Sequence, residues 1–320
     1  MCIRDRIIGP NALINMDGAN HLELRRKLNP LFTPGSVQTM IDEEINLQLQ
    51  LVKSRLLAGE VVDLAREIEF STGKLVCRFA GFDTNEVPEV DVVEYLARAR
   101  SPLSLVGLRT REFSPKQVEY VREQFAPIES QTRKAYREHI PGTIPNALRE
   151  FGLSEDDAYA IAAALILAST ETVIAHVPRF TALLIDSGEL SRLVADPNRL
   201  DATIQEGFRV TVPTPVMLRR ATRAAVVGGQ NIKAGDRLVL SNYMANRALG
   251  DFDPDREIPR ELRQLWFGAG AHFCIGMPLG SRETQVYAQM LMEVHAQRPL
   301  RIVSRSVRRR TLAAGYSMLE

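Results

Sequence analysis

The chain has 320 residues, 45% of them hydrophobic and 25% charged, and forty Lys and Arg stand against thirty-nine Asp and Glu. This is ordinary globular composition, and a formal charge of +1 lacks the basic excess of a nucleic-acid-binding chain. Three cysteines without paired spacing, Cys2, Cys77 and Cys274, argue against a disulfide framework or zinc site and for a reducing, cytoplasmic setting. No apolar run reaches the length of a membrane span and the start carries no signal-peptide pattern, so no membrane anchor is expected.

In chain order, residues 37–58 carry Val37, Met40, Ile41, Ile45, Leu49 and Val52 on one helical face, and residues 61–80 continue with Val62, Leu64, Ile68 and Leu75. Residues 115–138 form a charged amphipathic stretch, and Pro141, Gly142 and Pro145 punctuate the segment after it. A long helix begins near Ser154, which has capping-box spacing to Asp157. From Ala160 to Ala168 it contains no charge, which predicts a helix at the centre of the molecule rather than on its surface. Pro178 should kink it.

Strand signals concentrate between 210 and 242. Val210 to Met217 is rich in β-formers and broken by Pro213 and Pro215. The run from Ala225 to Ile232 reads as strand, Gly-Gly turn, strand, and Ala234-Gly235-Asp236 is a turn before a short strand over Arg237 to Leu240. Arg305, Arg308, Arg309 and Arg310 read as a solvated face near the C-terminus. The expected fold class is mainly α (α+β), a helical bundle with a small β-sheet region. With no repeat or interdomain linker, residues 1–320 read as one domain.

The chemistry concentrates in Phe267-Gly-Ala-Gly-Ala-His-Phe-Cys-Ile-Gly276. Glycines at 268, 270 and 276 permit sharp turns and close backbone approach to a ligand. A lone cysteine is more often a buried thiol than a ligand, but this pattern resembles the haem-binding signature of the cytochrome P450 family. The resemblance implies haem b with the Cys274 thiolate as axial iron ligand, a ligation that favours O–O cleavage. Amides of Ile275 and Gly276 would donate to the sulfur and tune the iron, and Phe267 would cover it.

The same resemblance extends along the chain. Glu206-Gly-Phe-Arg209 is similar to the family's Glu-x-x-Arg pair, with both residues on one helix face, and Arg260, after Asp253-Pro-Asp-Arg256, would complete a structural charge network. Ala168-Ser-Thr-Glu-Thr-Val173 resembles the distal-helix motif, with Ser169 and Val173 as departures. It implies a helix bulged over the iron, with Glu171 and Thr172 relaying protons; the plainer alternative has Thr172 bonding the preceding helical carbonyl. His21 and Arg25, one helical turn apart, with Arg219 and His272, would hold the haem propionates. Leu165, Ala168, Ser169, Thr214, Val216, Met217 and Tyr316 are the expected substrate-pocket lining, small or apolar and suited to an apolar substrate. Gly315 to Leu319 looks like the family's final hairpin, and Gln264-Leu-Trp266 stands in place of a commoner His-Leu-Ala.

The resemblance begins at about His21. Residues 1–20 are atypical, and a truncated start would leave one sheet edge unpaired and the cavity open on one side. The family implies a soluble, monomeric monooxygenase of bacterial type, fed by a separate ferredoxin or flavoprotein electron donor docking near Cys274. Two rivals stand beside it: a peroxide-dependent or isomerising haem-thiolate enzyme, and a non-catalytic haem-binding remnant.

Overall fold

The computed structural model describes residues 11–107, 110, 113–308 and 314–320. The atypical start from Met1 to Arg6, with Cys2, lies outside the described residues, as do Arg309 and Arg310. Helices dominate, and three two-stranded antiparallel sheets are set among them. The helices are α1 (Gly18–Leu28), α2 (Pro34–Glu44), α3 (Asn46–Ala58), α4 (Leu64–Ala80), α5 (Glu89–Arg100), α6 (Pro115–Glu138), α7 (Ile144–Glu150), α8 (Glu155–Asp186), α9 (Glu189–Ala195), α10 (Leu200–Thr211), α11 (Asn242–Arg247) and α12 (Met277–Gln297).

The periodic stretch over 37–58 is two helices, not one. Thr33 Oγ1 accepts from the Ser36 amide at 3.3 Å to start α2. At Ile45 φ widens to −117° while ψ stays right-handed at −40°, and α3 begins at the next residue with its own buried pair, Leu49 and Val52. Gly59, in the left-handed conformation at φ 90°, ends α3.

The uncharged segment predicts the centre of the molecule, and α8 lies there. It packs against α4, α5, α6, α7 and α10, and the buried apolar residues from Ala12 to Leu319 form one contiguous cluster. Ser154 caps it, its Oγ accepting from the Asp157 amide at 3.2 Å, but the Asp157 carboxylate meets the Ser154 hydroxyl rather than a free amide. By length and composition α8 is apolar enough to cross a bilayer, contrary to the expectation that no segment reaches that length; more than half of its most apolar stretch is buried among its neighbours, as befits a core helix. It runs unbroken past Pro178.

The sheets are β1 (Val216–Arg220) with β4 (Arg237–Ser241), β2 (Ala225–Val227) with β3 (Gln230–Ile232), and β5 (Arg305–Val307) with β6 (Tyr316–Leu319). Val210 and Thr211, read as strand, are helical: Phe208, Arg209, Val210 and Thr211 are buried as the last turn of α10. Pro213 disfavours helical backbone in the residue before it, and Val212 accordingly turns to φ 41°. The Gly228-Gly229 turn has both φ values positive, as a tight hairpin between β2 and β3 requires. Among the described residues β1 and β4 pair only with each other, so each has an open outer edge, and Val239 and Leu240 on β4 are exposed.

Of the described arginines near the C-terminus, Arg305 is exposed as expected and Arg308 is not. Arg305 makes a two-pronged ion pair with Asp186, at 2.7 and 2.8 Å, and Arg308 is nearly buried in a cluster of ion pairs.

Candidate active site

Cys274 sits at the end of a loop that winds from the 3₁₀ turn at Leu265–Phe267 to the first turn of α12. Gly268 (φ 82°) and Gly270 (φ 69°) adopt backbone that a side chain would strain. Gly276 does not: its φ is −83°, and an added Cβ would come no nearer than 3.9 Å to Cys274 Sγ. The Phe267 carbonyl accepts from the Cys274 amide at 2.9 Å, so Phe267 clamps the cysteine backbone while its ring stacks obliquely on Phe208, 4.8 Å between centroids.

The Met277 amide donates to the Cys274 carbonyl at 3.4 Å, and the Gly276 and Met277 amides, not that of Ile275, are the backbone donors that favour the ionised sulfur. These are donors at the start of α12, where helix geometry leaves N–H groups unspent and the dipole favours negative charge. Cys274 is open to solvent on one side, yet its sulfur lies deep within a ring of protein. This desolvation raises its pKa, and the two amides and Arg25 oppose the rise.

Beside the loop, His21 on α1 is 1% exposed, and neither of its ring nitrogens has a hydrogen-bond partner among the described residues. Its ring lies 4.2 Å from that of His272. Burial, then the neighbouring His272 and Arg25, push the His21 pKa down. His272 Nε2 lies 2.9 Å from an Asp17 carboxylate oxygen; that hydrogen bond above all holds Asp17 below the usual carboxylate range, with His21 and Arg219 adding smaller contributions. Arg25 has no carboxylate partner among the described residues, and Arg219 is exposed, donating to the carbonyl of its neighbour Leu218 at 3.0 Å. Buried imidazole nitrogens without acceptors, beside a guanidinium without an acid, make an incomplete polar cluster. The carboxylates of a haem would complete it, and Cys274 offers the axial sulfur, so the residues present fit that group.

The charge network behind the loop has a different third member from the one expected. Arg209 is fully buried and grips Glu206 with two bonds of 2.7 and 2.6 Å. It also donates to the carbonyls of Asn246, Gly250 and Asp251. Glu206 takes the amide of Asp253 at 2.9 Å, and Arg256 approaches it to 3.9 Å. Arg260 is exposed, in a separate 3₁₀ turn, and makes no ion pair among the described residues. The arginine that meets Glu206 is therefore the last residue of Asp253-Pro-Asp-Arg256 itself, because the Asp253 amide is what docks that segment on Glu206.

On α8, Thr172 Oγ1 bonds the carbonyls of Ala168 (3.1 Å) and Ser169 (3.2 Å), the plainer of the two alternatives. The helix is uninterrupted here and shows no bulge. Glu171 is held at both oxygens: Arg100 Nε lies 2.5 Å from one and Arg308 Nη1 2.8 Å from the other. Both arginines also reach Glu69, at 2.7 and 3.2 Å, so two acids and two arginines tie together α4, α5, α8 and the end of β5.

Of the expected pocket residues, Leu165, Ala168, Ser169 and Thr172 share a side of central α8 that is not fully buried. Val216, Met217 and Tyr316 are half-buried and Thr214 is exposed; the described contacts do not bring them together with α8 in one enclosed cavity. Sequence reasoning missed Asp17, Met277, Arg100, Arg308 and Glu69. Met277 had a local signal, since Pro278 marks the first turn of a helix. The ionic cluster had none, because its members lie far apart in the chain.

Residues 198–295 match the family model described as Cytochrome P450. The chain is 27% identical over 294 residues to Cytochrome P450-SU2 of Streptomyces griseolus, covering 89% of this chain and 70% of that protein. It is 26% identical over 292 residues to the mycinamicin IV hydroxylase/epoxidase of Micromonospora griseorubida, covering 88% and 71%. Among solved structures, P450BioI in complex with an acyl carrier protein carrying hexadec-9Z-enoic acid superposes with a TM-score of 0.82 at 18% identity, over 99% of this chain and 83% of that one.

Proposed function

Because the chain belongs to the cytochrome P450 family, a family of haem-dependent oxidoreductases, we propose that it is a haem-thiolate monooxygenase that inserts one atom of dioxygen into a small apolar substrate. The observation that carries this reading is the sulfur of Cys274, set at the start of α12 beside His21, whose ring nitrogens have no hydrogen-bond partner among the described residues, and Arg25, which has no carboxylate partner among them.

Haem, when bound, supplies reductive activation of dioxygen. The chain's own contributions are separable. Cys274 would hold the haem iron through its sulfur, and the amides of Gly276 and Met277 would moderate its electron donation. His21, Arg25, His272 and Arg219 would take the propionates, with Asp17 orienting His272. Arg209 and Glu206 brace the proximal segments. Thr172 and Glu171 hold protons on α8: the Thr172 hydroxyl must leave the Ala168 and Ser169 carbonyls to donate elsewhere, and Glu171 must loosen one arginine to exchange with solvent. Leu165, Ala168 and Ser169 offer an apolar face to substrate, with Thr214, Val216, Met217 and Tyr316 as further lining. With it we propose electrons from a separate ferredoxin or flavoprotein, and a cytoplasmic, monomeric protein in which residues 1–320 form one catalytic domain.

The carbon-monoxide difference spectrum of the reduced protein tests this reading. A strongly red-shifted Soret band is expected; a band of the histidine- or thiol-ligated type, or no haem at all, would overturn it.

The unbroken α8 and the engaged Thr172 hydroxyl favour a second reading, a peroxide-dependent haem-thiolate enzyme, which needs no proton relay. Turnover with hydrogen peroxide alone, at rates matching or exceeding those with dioxygen and an electron donor, would select it.

A further inference from the structure

A groove of about 490 Å³, open on one side, lies between α2, α10, the 264–267 turn and the first turns of α12. Its volume is that of small-ligand sites, which run from roughly 300 to 1,000 Å³. Trp266 forms part of its wall; the indole is 4% exposed and its Nε1 has no acceptor. An unsatisfied buried donor calls for an explanation. Gln264, beside it in the lining, is held at φ 61°, a strained conformation for a residue with a side chain.

The groove is also short of negative charge where it is richest in donors. Arg282 is positioned by two amides, its Nε on Gln38 at 3.1 Å and its Nη1 on Gln285 at 2.7 Å. It makes no ion pair with any described carboxylate. Its Nη2 is left to bind something else. The one acid in the lining, Asp201, is on α10 and exposed, so an anion is favoured at the α12 wall and repelled from the other.

We propose that this groove binds a small aromatic or aliphatic monocarboxylate, with its carboxylate on Arg282 and its apolar body against Trp266 and Phe208. A guanidinium pre-positioned by amides suits a carboxylate, and the indole and phenyl faces suit an apolar body. The site is coupled to Cys274. Met277 lines the groove, and its amide donates to the Cys274 carbonyl at 3.4 Å. Phe267 lines it too, and its carbonyl holds the Cys274 amide. An occupant thus touches both residues that fix the sulfur and modulates its electron donation. That modulation rests on the haem-thiolate reading; the binding does not.

Trp266 is the chain's single tryptophan, so 5-fluorotryptophan labelling gives one ¹⁹F resonance in the wall of the groove. The haem-loaded, reduced, carbon-monoxide form is titrated with phenylacetate and, as a neutral control, phenylacetamide. A saturable shift with phenylacetate is expected, with binding about tenfold or more weaker for phenylacetamide and for Arg282→Gln. Gln205→Phe, which fills the groove from an exposed position on α10, should abolish the shift and leave the carbon-monoxide band unchanged. Absence of a saturable shift overturns the proposal, as does a shift equal for both probes or one that survives Arg282→Gln. A resonance that moves only when an electron-donor protein is added makes the groove a protein-docking pocket, and also overturns it. Loss of the thiolate-type band with the fluorine response retained sinks the haem-thiolate reading and leaves the groove standing.

Discussion

Arg308 and Glu171 are 137 positions apart in the chain and 2.8 Å apart in space. With Arg100 on its other oxygen, Glu171 is an anchored carboxylate on the central helix rather than a free one. If it relays protons, Glu171→Gln should leave the thiolate-type carbon-monoxide band intact and reduce dioxygen-supported turnover by about 10²-fold, the usual scale for a lost general acid. A normal dioxygen-supported rate in this variant would reduce Glu171 to a structural anchor.

Thr172→Ala separates the two readings of that hydroxyl. Removing a residue that only back-bonds its own helix should change little beyond local stability. Removing a proton donor should preserve haem binding and divert reducing equivalents to hydrogen peroxide. Product formed per electron pair consumed is the quantity to measure, and undiminished coupling rejects the relay.

Arg209 and Arg256, which meet Glu206, and Arg260, which does not, should behave differently. Arg209→Met leaves a buried carboxylate unpaired and should destabilise the fold by roughly 3–5 kcal/mol. Arg256→Gln removes a partly exposed partner at 3.9 Å and should lower stability by about 1 kcal/mol or less. Arg260→Gln should be neutral within about 0.5 kcal/mol. Chemical denaturation of the three variants orders them, and an Arg260 effect as large as that of Arg209 would restore Arg260 to the network.

The range of each interaction decides how much of the molecule was legible in the sequence. The cysteine loop, the Gly-Gly hairpin and the cap of α8 are local, and their residues sit where the spacing places them. The Glu206–Arg209 pair is three positions apart and was equally readable. The third arginine was not, because choosing Arg256 over Arg260 depends on the Asp253 amide docking on Glu206 across 47 positions. Arg100, Arg308 and Glu69 are charged residues on ordinary surface-like patterns until the fold brings them to Glu171. The strand expected at Val210 failed for a related reason: burial of Phe208 and Arg209 against the rest of the fold extends α10 over residues with β preference.

Two buried groups should shape the pH dependence of stability. Glu283 is buried in α12, and desolvation pushes its carboxyl up to about 8. The unfolded chain releases that proton near pH 4.5, so stability falls as pH rises from about 4.5 to about 8. His176 is buried against Phe208, and burial pushes it down to about 3 from 6.5. The unfolded chain takes up that proton first, so stability also falls as pH drops from 6.5 toward 3. Glu283→Gln should flatten the alkaline limb by a few kcal/mol and leave the acid limb in place. Denaturation curves between pH 5 and 9 that are parallel for the two proteins would show Glu283 to be ionised in the fold.

The open edge of β4 bears on how molecules of this chain meet one another. Backbone donors and acceptors left unpaired beside Val239 and Leu240 form a template for a strand from another copy, and antiparallel pairing edge to edge would extend the two-stranded β1–β4 ribbon into a continuous one. Self-association should therefore grow with protein concentration, and a lysine in place of Val239, which breaks the apolar edge without touching the core, should suppress it. Light scattering across a concentration series, with and without Val239→Lys, reads that tendency directly.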